Sequence, residues 1–316
     1  MGRTKIILNP IAGRGYAAKA EPEIRRMLEA EQLDFEMEPT AGPGHAVELA
    51  KQAVQDGFDL IVAAGGDGTT HEVMNGLMAS ANDSDKGQGK SHGQGHGRVV
   101  GTLGILPLGS GCDFANTVGV PSELLSACRR LVDGQDRIVD VVQVTLPGQE
   151  VRYFDNTLNI GFGGTVTREA RKIKYLRGMA LYLPVVLKTV FLYLNAPRVT
   201  IQTDDEELTL PVVMVSIANG SREGGGFFVA PSALPDDGLL DLCIVRKIGR
   251  LAMLGLIPHF MKGTHVGNES VIMMNARHVR ISSPDDLIAH IDGEMLCTDA
   301  HQIDFEIMPG RLRVRC

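Results

Sequence analysis

The chain has no tryptophan, and aromatic residues make up only 5% of its 316 positions. Stacking platforms of the kind that hold unpaired bases are therefore scarce. Positive charge is not in excess either. Lys and Arg number 31 against 38 Asp and Glu, giving a formal net charge of −7 and a pI near 5.7. A global basic surface for nucleic acid is excluded. Five cysteines stand at 112, 128, 243, 297 and 316, an odd number with no C-x-x-C pair. That usage fits a reduced, cytoplasmic protein and not a disulfide scaffold. No secretory leader is expected, since strand-like sequence begins by Lys5. Met1-Gly2 opens like a myristoylation site, but Ile6 stands where Ser or Thr is needed. The longest apolar run, Gly178 to Leu194, holds Pro184 and Lys188. It falls short of the ~20 residues that span a bilayer.

What is present suffices for a core: 44% hydrophobic and 22% charged residues over a length that predicts two domains. Gly is abundant at 37 and clustered, which points to functional loops. Residues 5–145 alternate strand and helix signals. Lys5 to Asn9, Phe35 to Glu38, Leu60 to Ala64 and Leu103 to Leu106 read as strands. Residues 16–31, His45 to Gln55, Glu72 to Ala79 and Ser122 to Val132 read as helices. Such alternation predicts an α/β domain with a parallel sheet. Beyond it, seven β-rich runs between 139 and 307 are separated by Gly, Pro and Asp, with helical pattern only over 166–194 and 249–262. This predicts a β-rich antiparallel sandwich domain. The boundary is placed at 135/136. Asn82 to Gly97 (NDSDKGQGKSHGQGHG) is low-complexity and reads as a disordered loop, with His92 and His96 a weaker metal-binding alternative.

Three Gly-rich segments carry the chemistry. Ala64-Gly65-Gly66-Asp67-Gly68-Thr69 follows an apolar strand and opens a helix. Its glycines let the backbone approach a phosphate, and the helix N-terminus supplies amide donors. Asp67 would be repelled inside such a cradle unless it handles a cation or a proton, which marks it as a catalytic candidate. Asn9-Pro10-Ile-Ala-Gly13 and Leu106-Pro-Leu-Gly109-Ser110-Gly111-Cys112-Asp113 each follow another strand. Loops at the C-terminal ends of parallel strands should converge on one sheet edge, where open α/β folds bind ligands. Alone, each of the three is an ordinary strand-to-helix turn.

Taken together, these segments resemble the diacylglycerol kinase catalytic domain and its sphingosine kinase relatives. The match continues through Asn159-Ile-Gly-Phe-Gly163, Asn219-Gly220, Asp-Asp237-Gly-Leu-Leu-Asp241 and Asp292-Gly293-Glu294, so it covers nearly the whole chain. The resemblance implies an ATP-dependent, Mg²⁺-dependent kinase acting on a lipid hydroxyl, with diacylglycerol the first acceptor. It implies a fold shared with NAD kinase. It implies nucleotide contacts at Asn9, Pro10, Gly13, Thr40, Gly65, Gly66, Asp67, Gly68, Thr69, Glu72, Gly109 and Ser110. It implies a structural Mg²⁺ at Leu234, Asp237 and Leu239, with the two leucines serving through carbonyls, oxygen ligands that suit Mg²⁺. It implies a catalytic base at Glu294 with Asp292 beside it. From their residues alone, Asp237 would mark a plain β-turn and Asp292-Gly293 a hairpin turn. Two positions depart from the family, His71 and Cys112, where its members usually carry Asn. An altered hydrogen-bond pattern at the nucleotide edge is the expectation there.

One further expectation comes from charge. Arg168, Arg171, Lys172, Lys174 and Arg177 face a single acid, Glu169, just before the apolar run to Leu194. Basic-then-apolar sequence suits peripheral docking of 165–194 on an anionic membrane surface, a solvated helix followed by a core helix being the alternative. Other functional readings are an NAD kinase-like small-molecule kinase and a catalytically weak nucleotide- or lipid-binding protein. A homodimer is compatible with each.

Overall fold

The computed structural model describes residues 2–87, 101–173 and 178–316. The chain divides into two compact units. Unit 1 comprises Met1–Val141 and Met308–Cys316, and unit 2 comprises Val142–Ile307. The division thus falls a few residues after the expected boundary. The last nine residues also return to unit 1, which the local sequence pattern could not show.

Unit 1 alternates as expected: β1 (Thr4–Leu8), α1 (Ala12–Ala30), β2 (Phe35–Pro39), α2 (His45–Gln55), β3 (Leu60–Gly65), α3 (Asp67–Gly87), β4 (Thr102–Pro107), α4 (Asp113–Val118), α5 (Leu124–Asp133) and the start of β5 (Asp136–Thr145). Its sheet runs β2-β1-β3-β4, all parallel, with Leu8 beside Ala64 and Gly65 beside Pro107. Every residue of β3 is buried, as a central parallel strand requires. Helix α3 begins at Asp67 and not at Glu72, and it runs to Gly87. The first six residues of the low-complexity segment are therefore helical, which corrects the loop expectation there. The remainder of that segment, with His92 and His96, lies outside the described residues. Helix α4, too short to carry a periodic signal, went unread in the sequence.

Unit 2 continues through β6 (Arg152–Phe154), β7 (Thr157–Gly161), α6 (Phe162–Ala170), α7 (Gly178–Leu192), β8 (Arg198–Thr203), β9 (Glu207–Ala218), β10 (Arg222–Glu223), β11 (Phe227–Phe228), β12 (Leu240–Arg246), α8 (Arg250–Lys262), β13 (Val271–Ala276), β14 (His278–Ile291) and β15 (Glu294–Arg315). The order β13-β12-β9-β7-β14-β15 is antiparallel throughout. Strands β9 and β14 each pair with β8 in their first half and with β7 in their second. The layers so formed enclose an apolar core of Leu158, Ile160, Val215, Ile217, Leu242 and Ile291, among others. Alternate residues point the other way. Cys243 and Val245 of β12 join Val213 and Met214 of β9 in a second core covered by α6, α7 and α8. The final stretch of β15 belongs to unit 1, where Val314 pairs in parallel with Leu103 of β4.

Candidate functional site

In unit 1, the three Gly-rich loops interlock at the C-terminal ends of β1, β3 and β4. Asn9 Nδ2 donates to Thr69 Oγ1 at 3.0 Å, joining the first loop to the first turn of α3. The Asn9 amide donates to Ala64 O, and the Leu108 amide to Gly65 O, at 2.9 and 2.7 Å. Gly66 and Gly109 meet backbone to backbone: a Cβ on Gly109 would stand 2.4 Å from Gly66 Cα. No side chain other than hydrogen fits that contact. Gly13 has φ +54°, and a Cβ there would stand 2.5 Å from Leu108 O. Gly68 lies within the same first turn of α3, Pro10 follows Asn9, and Thr40 anchors the end of β2 by donating its amide to Leu8 O at 2.8 Å. Ser110 is exposed on the rim.

Asp67 has a use beyond the two foreseen. Its Oδ2 accepts the Cys112 amide at 2.8 Å and its Oδ1 the Phe114 amide at 3.4 Å. The carboxylate therefore caps α4, whose own N-cap residue Cys112 is left-handed at φ 52° and offers no side-chain acceptor. Asp113 stands close by: an ideal Cβ on Gly111 would lie 2.9 Å from Asp67 Oδ2 and 3.4 Å from Asp113 Oδ2. Two carboxylates thus approach one glycine, and Asp113 was not singled out in the sequence. Burial, with the Asp67 charge adding to it, pushes the Cys112 thiol up to about 12. That thiol is buried toward Gly65 O, and His71 is only 3% exposed, with Asn75 Nδ2 at 3.3 Å from its Nε2. Both departures from the family pattern thus point their side chains into packing. Glu72 accepts the Gly44 and Ala46 amides at 2.8 and 3.1 Å, capping α2 with both oxygens.

In unit 2, Asp292-Gly293 forms the two-residue turn between β14 and β15, with φ 45° and 84° and Ile291 paired to Glu294. Positive φ at both positions is what Asp-Gly hairpin turns supply. Asp292 is buried, and its Oδ1 accepts the Thr157 amide at 2.9 Å while its own amide donates to Thr157 O. Glu294 is half-buried as the first residue of β15. A tight, doubly bonded turn of this kind presents the Glu294 carboxyl on a rigid support.

Residues 3–144 match the profile of the diacylglycerol kinase catalytic domain, and residues 156–316 that of the YegS C-terminal NAD kinase beta sandwich-like domain. A YegS-like lipid kinase from Pectobacterium atrosepticum is 30% identical over 318 residues, covering 99% of this chain and 95% of that one. The chain belongs to the diacylglycerol kinase and YegS-like lipid kinase family. A diacylglycerol kinase of Bacillus subtilis is 29% identical over 301 residues, covering 93% of this chain and 90% of its own. Two solved structures share the fold. One is a diacylglycerol kinase from Bacillus anthracis, with TM-score 0.72 and 23% identity over 99% of this chain and 96% of that one. The other is yeast NADH kinase, with TM-score 0.50 and 13% identity over 99% and 82%.

For this lipid kinase, a Mg²⁺ at Leu234, Asp237 and Leu239 can be tested against the local chemistry. Asp237 is exposed and its Oδ1 accepts the Leu239 amide at 3.0 Å, which leaves Oδ2 without a hydrogen bond among the described residues. Burial first, and then the Asp237 charge, push the Asp241 carboxyl up to about 6 against the opposing Asn275 hydrogen bond. A cation would relieve that crowding of acids. Among the described residues, no group of three or more His, Cys, Asp or Glu side chains is gathered to hold a metal. A cation here would lean on backbone carbonyls and water, which Mg²⁺ accepts as oxygen ligands.

The basic stretch also finds a shape in the lipid kinase. Glu169 of α6 is 2% exposed by side chain, and its carboxyl is held low by Lys172 and then Lys188. Arg171 is exposed, and Lys174 and Arg177 lie outside the described residues. Phe191, Leu192 and Tyr193 at the end of α7 are 54%, 63% and 40% exposed, and Leu251 of α8 is 83% exposed. Arg250 Nε donates to Phe191 O at 3.2 Å, which brings the two apolar groups together. Among the described residues, no helix is long and apolar enough to cross a membrane.

Proposed function

We propose that this lipid kinase moves the γ-phosphate of ATP to a lipid hydroxyl, with diacylglycerol the first acceptor and phosphatidic acid the product. The interlocked loops of unit 1 carry the reading, above all the Gly66–Gly109 contact, where only hydrogen side chains fit. A glycine-walled end of a parallel sheet lets a polyphosphate approach backbone amides closely. Asp67 and Asp113 lie at that end and suit a cation that travels with the nucleotide. Phosphoryl transfer asks of a protein mainly positioning and charge neutralisation. Glu294 of unit 2 is the group given the acceptor proton, and Asp292 the group that fixes its turn. Mg²⁺ at the Asp237 loop would neutralise the acids there and firm unit 2. Docking on an anionic lipid surface belongs to the same reading, through Arg168, Lys172 and Lys188 with exposed Phe191, Leu192 and Leu251.

The test is transfer of labelled phosphate from ATP to a panel of lipid alcohols in mixed micelles, with NAD as a rival acceptor and Mg²⁺ varied. Labelled phosphatidic acid formed from diacylglycerol only when Mg²⁺ is present supports the reading. Labelled NADP, or nucleotide binding without transfer to any acceptor, overturns it.

A further inference from the structure

A row of polar side chains crosses the helix-covered face of the unit 2 sheet. Cys243, Ser216, Asn159 and His290 pair in register on β12, β9, β7 and β14. All four are buried, His290 being the most exposed at 5%. Glu223 of β10 ends this row. Its Oε2 accepts Asn159 Nδ2 at 2.7 Å and Thr157 Oγ1 at 3.3 Å, and it lies 3.9 Å from His290 Nε2. Burial lowers the His290 imidazole pKa against the opposing charges of Glu223 and Asp292. Among the described residues, the Glu223 side chain is only 17% exposed, His290 is its one ion-pair candidate, and Oε1 has no hydrogen bond. With both donors on Oε2, Oε1 keeps capacity for a further donor. Around it, Asn159 Oδ1, Ser216 Oγ and His290 Nδ1 also lack hydrogen bonds among the described residues.

Two neighbours place Glu223 in the unit. Thr157 donates its hydroxyl to Glu223 and its amide to Asp292, so one residue ties Glu223 to the turn that carries Glu294. The next residue borders half-buried rings: a Cβ on Gly224 would lie 3.5 Å from Phe227 and 3.9 Å from Tyr182. Both rings belong to the apolar cluster under α6–α8. Polar row and apolar rings are thus one residue apart in the chain, the kind of boundary a lipid headgroup needs.

We propose that Glu223 Oε1 is a specificity element for the acceptor, taking a hydrogen bond from a second donor on the lipid headgroup beside the hydroxyl that is phosphorylated. The chemistry is that of a hydroxyl or amine next to the reacting alcohol, as in a monoacylglycerol or a sphingoid base. A diacylglycerol lacks that donor. The inference rests on the lipid-kinase reading.

Glu223→Gln tests it cleanly. Asn159 and Thr157 both donate to the Oε2 position, so the amide oxygen must occupy it. The amide NH₂ then falls where Oε1 was and turns an acceptor into a donor. Wild type and variant are compared with ATP on a diacylglycerol, a monoacylglycerol and a sphingoid base of matched chain length in mixed micelles. The variant should lose about tenfold or more in kcat/KM on the two donor-bearing acceptors, while diacylglycerol stays within about twofold, the scale of one hydrogen bond to a charged group. The KM for ATP and the melting temperature should not move. An equal loss on all three acceptors assigns Glu223 a structural role and overturns the proposal, as does no loss on any. If wild type phosphorylates none of the three, the lipid-kinase reading itself fails and takes the proposal with it. Should Glu223→Gln not fold, Glu223→Asp keeps the charge, withdraws it by a methylene, and should show the same selective loss.

Discussion

The two units build their candidate chemistry by opposite means. In unit 1 the loops after β1, β3 and β4 are fixed by backbone contact, with Gly66 against Gly109 and Gly13 against Leu108 O. The carboxylates of Asp67 and Glu72 spend their oxygens on helix-capping amides. In unit 2 the fixed element is one two-residue turn, and the polar atoms around it are left with capacity: Glu223 Oε1, Asn159 Oδ1 and Ser216 Oγ accept nothing among the described residues. A polyphosphate offers a constant shape, so a rigid cradle of backbone serves it. A lipid headgroup varies, so side chains with spare hydrogen-bond capacity suit its recognition.

The sharpest break of this comparison is Glu294→Gln. The side chain is half-buried on a rigid turn, and the amide keeps its shape. Loss of a general base should lower kcat by about 10²–10⁴ with little change in stability or in the KM for ATP. A variant with near wild-type kcat would remove Glu294 from the chemistry. Gly109→Ala should act in the reverse sense. Its Cβ would fall 2.4 Å from Gly66 Cα, backbone that cannot swing aside. Overpacking of that kind costs about 1–3 kcal/mol, and it should weaken ATP binding while unit 2 keeps its hydrogen-exchange protection. Unchanged ATP affinity would show that the loop contact does not form the nucleotide site.

Asp67→Ala comes next, because one side chain is asked to do two jobs. Losing an N-cap acceptor costs about 1 kcal/mol. If capping α4 were its only job, turnover would survive in proportion to folded protein. We expect turnover below about a tenth of wild type, beyond what that cap loss explains. Retention of most activity after correction for folding would leave Asp67 as a cap alone.

These contrasts also mark what was legible in the sequence. The loops of unit 1 could be read because Gly-rich turns follow apolar strands, a local signal. That Asp67 caps α4 could not, since the partner amides lie 45 and 47 positions away. The return of Val314 to Leu103 is likewise a pairing with no local trace. Asp292-Gly293 reads as a hairpin turn from its residue types alone, and it is one. Strand β13 was missed because its Met-rich, half-exposed pattern gives weak alternation. Glu223 drew no notice because it sits in Ser-Arg-Glu-Gly-Gly-Gly, a composition that reads as loop. Only the fold brings it to Asn159, Thr157 and His290.

The smallest effect should appear on unit 2's outer surface, in the pH dependence of stability. Burial acts to raise the Asp204 carboxyl, but the amides of Arg277 and His278 and the His278 ring outweigh it and hold the group at about 2, below its ordinary 3.8. Asp204 therefore adds stability above pH 3.8, lost as pH falls toward 2. His278 is shifted the other way, its imidazole raised above 6.5 chiefly by its hydrogen bond to Asp204, with burial opposing. Its share is complete below pH 6.5 and is lost as pH rises through the raised value. The pair is thus worth most at pH 4–6.5. The His278 side chain is 62% exposed, so the gain is that of a surface ion pair, about 0.2–1 kcal/mol. Denaturant melts of wild type and His278→Gln between pH 4 and 9 should differ most near pH 5–6 and converge toward pH 9. A gap that stays constant across that range would assign the His278 contribution to packing and neutral hydrogen bonding, with no ionic share.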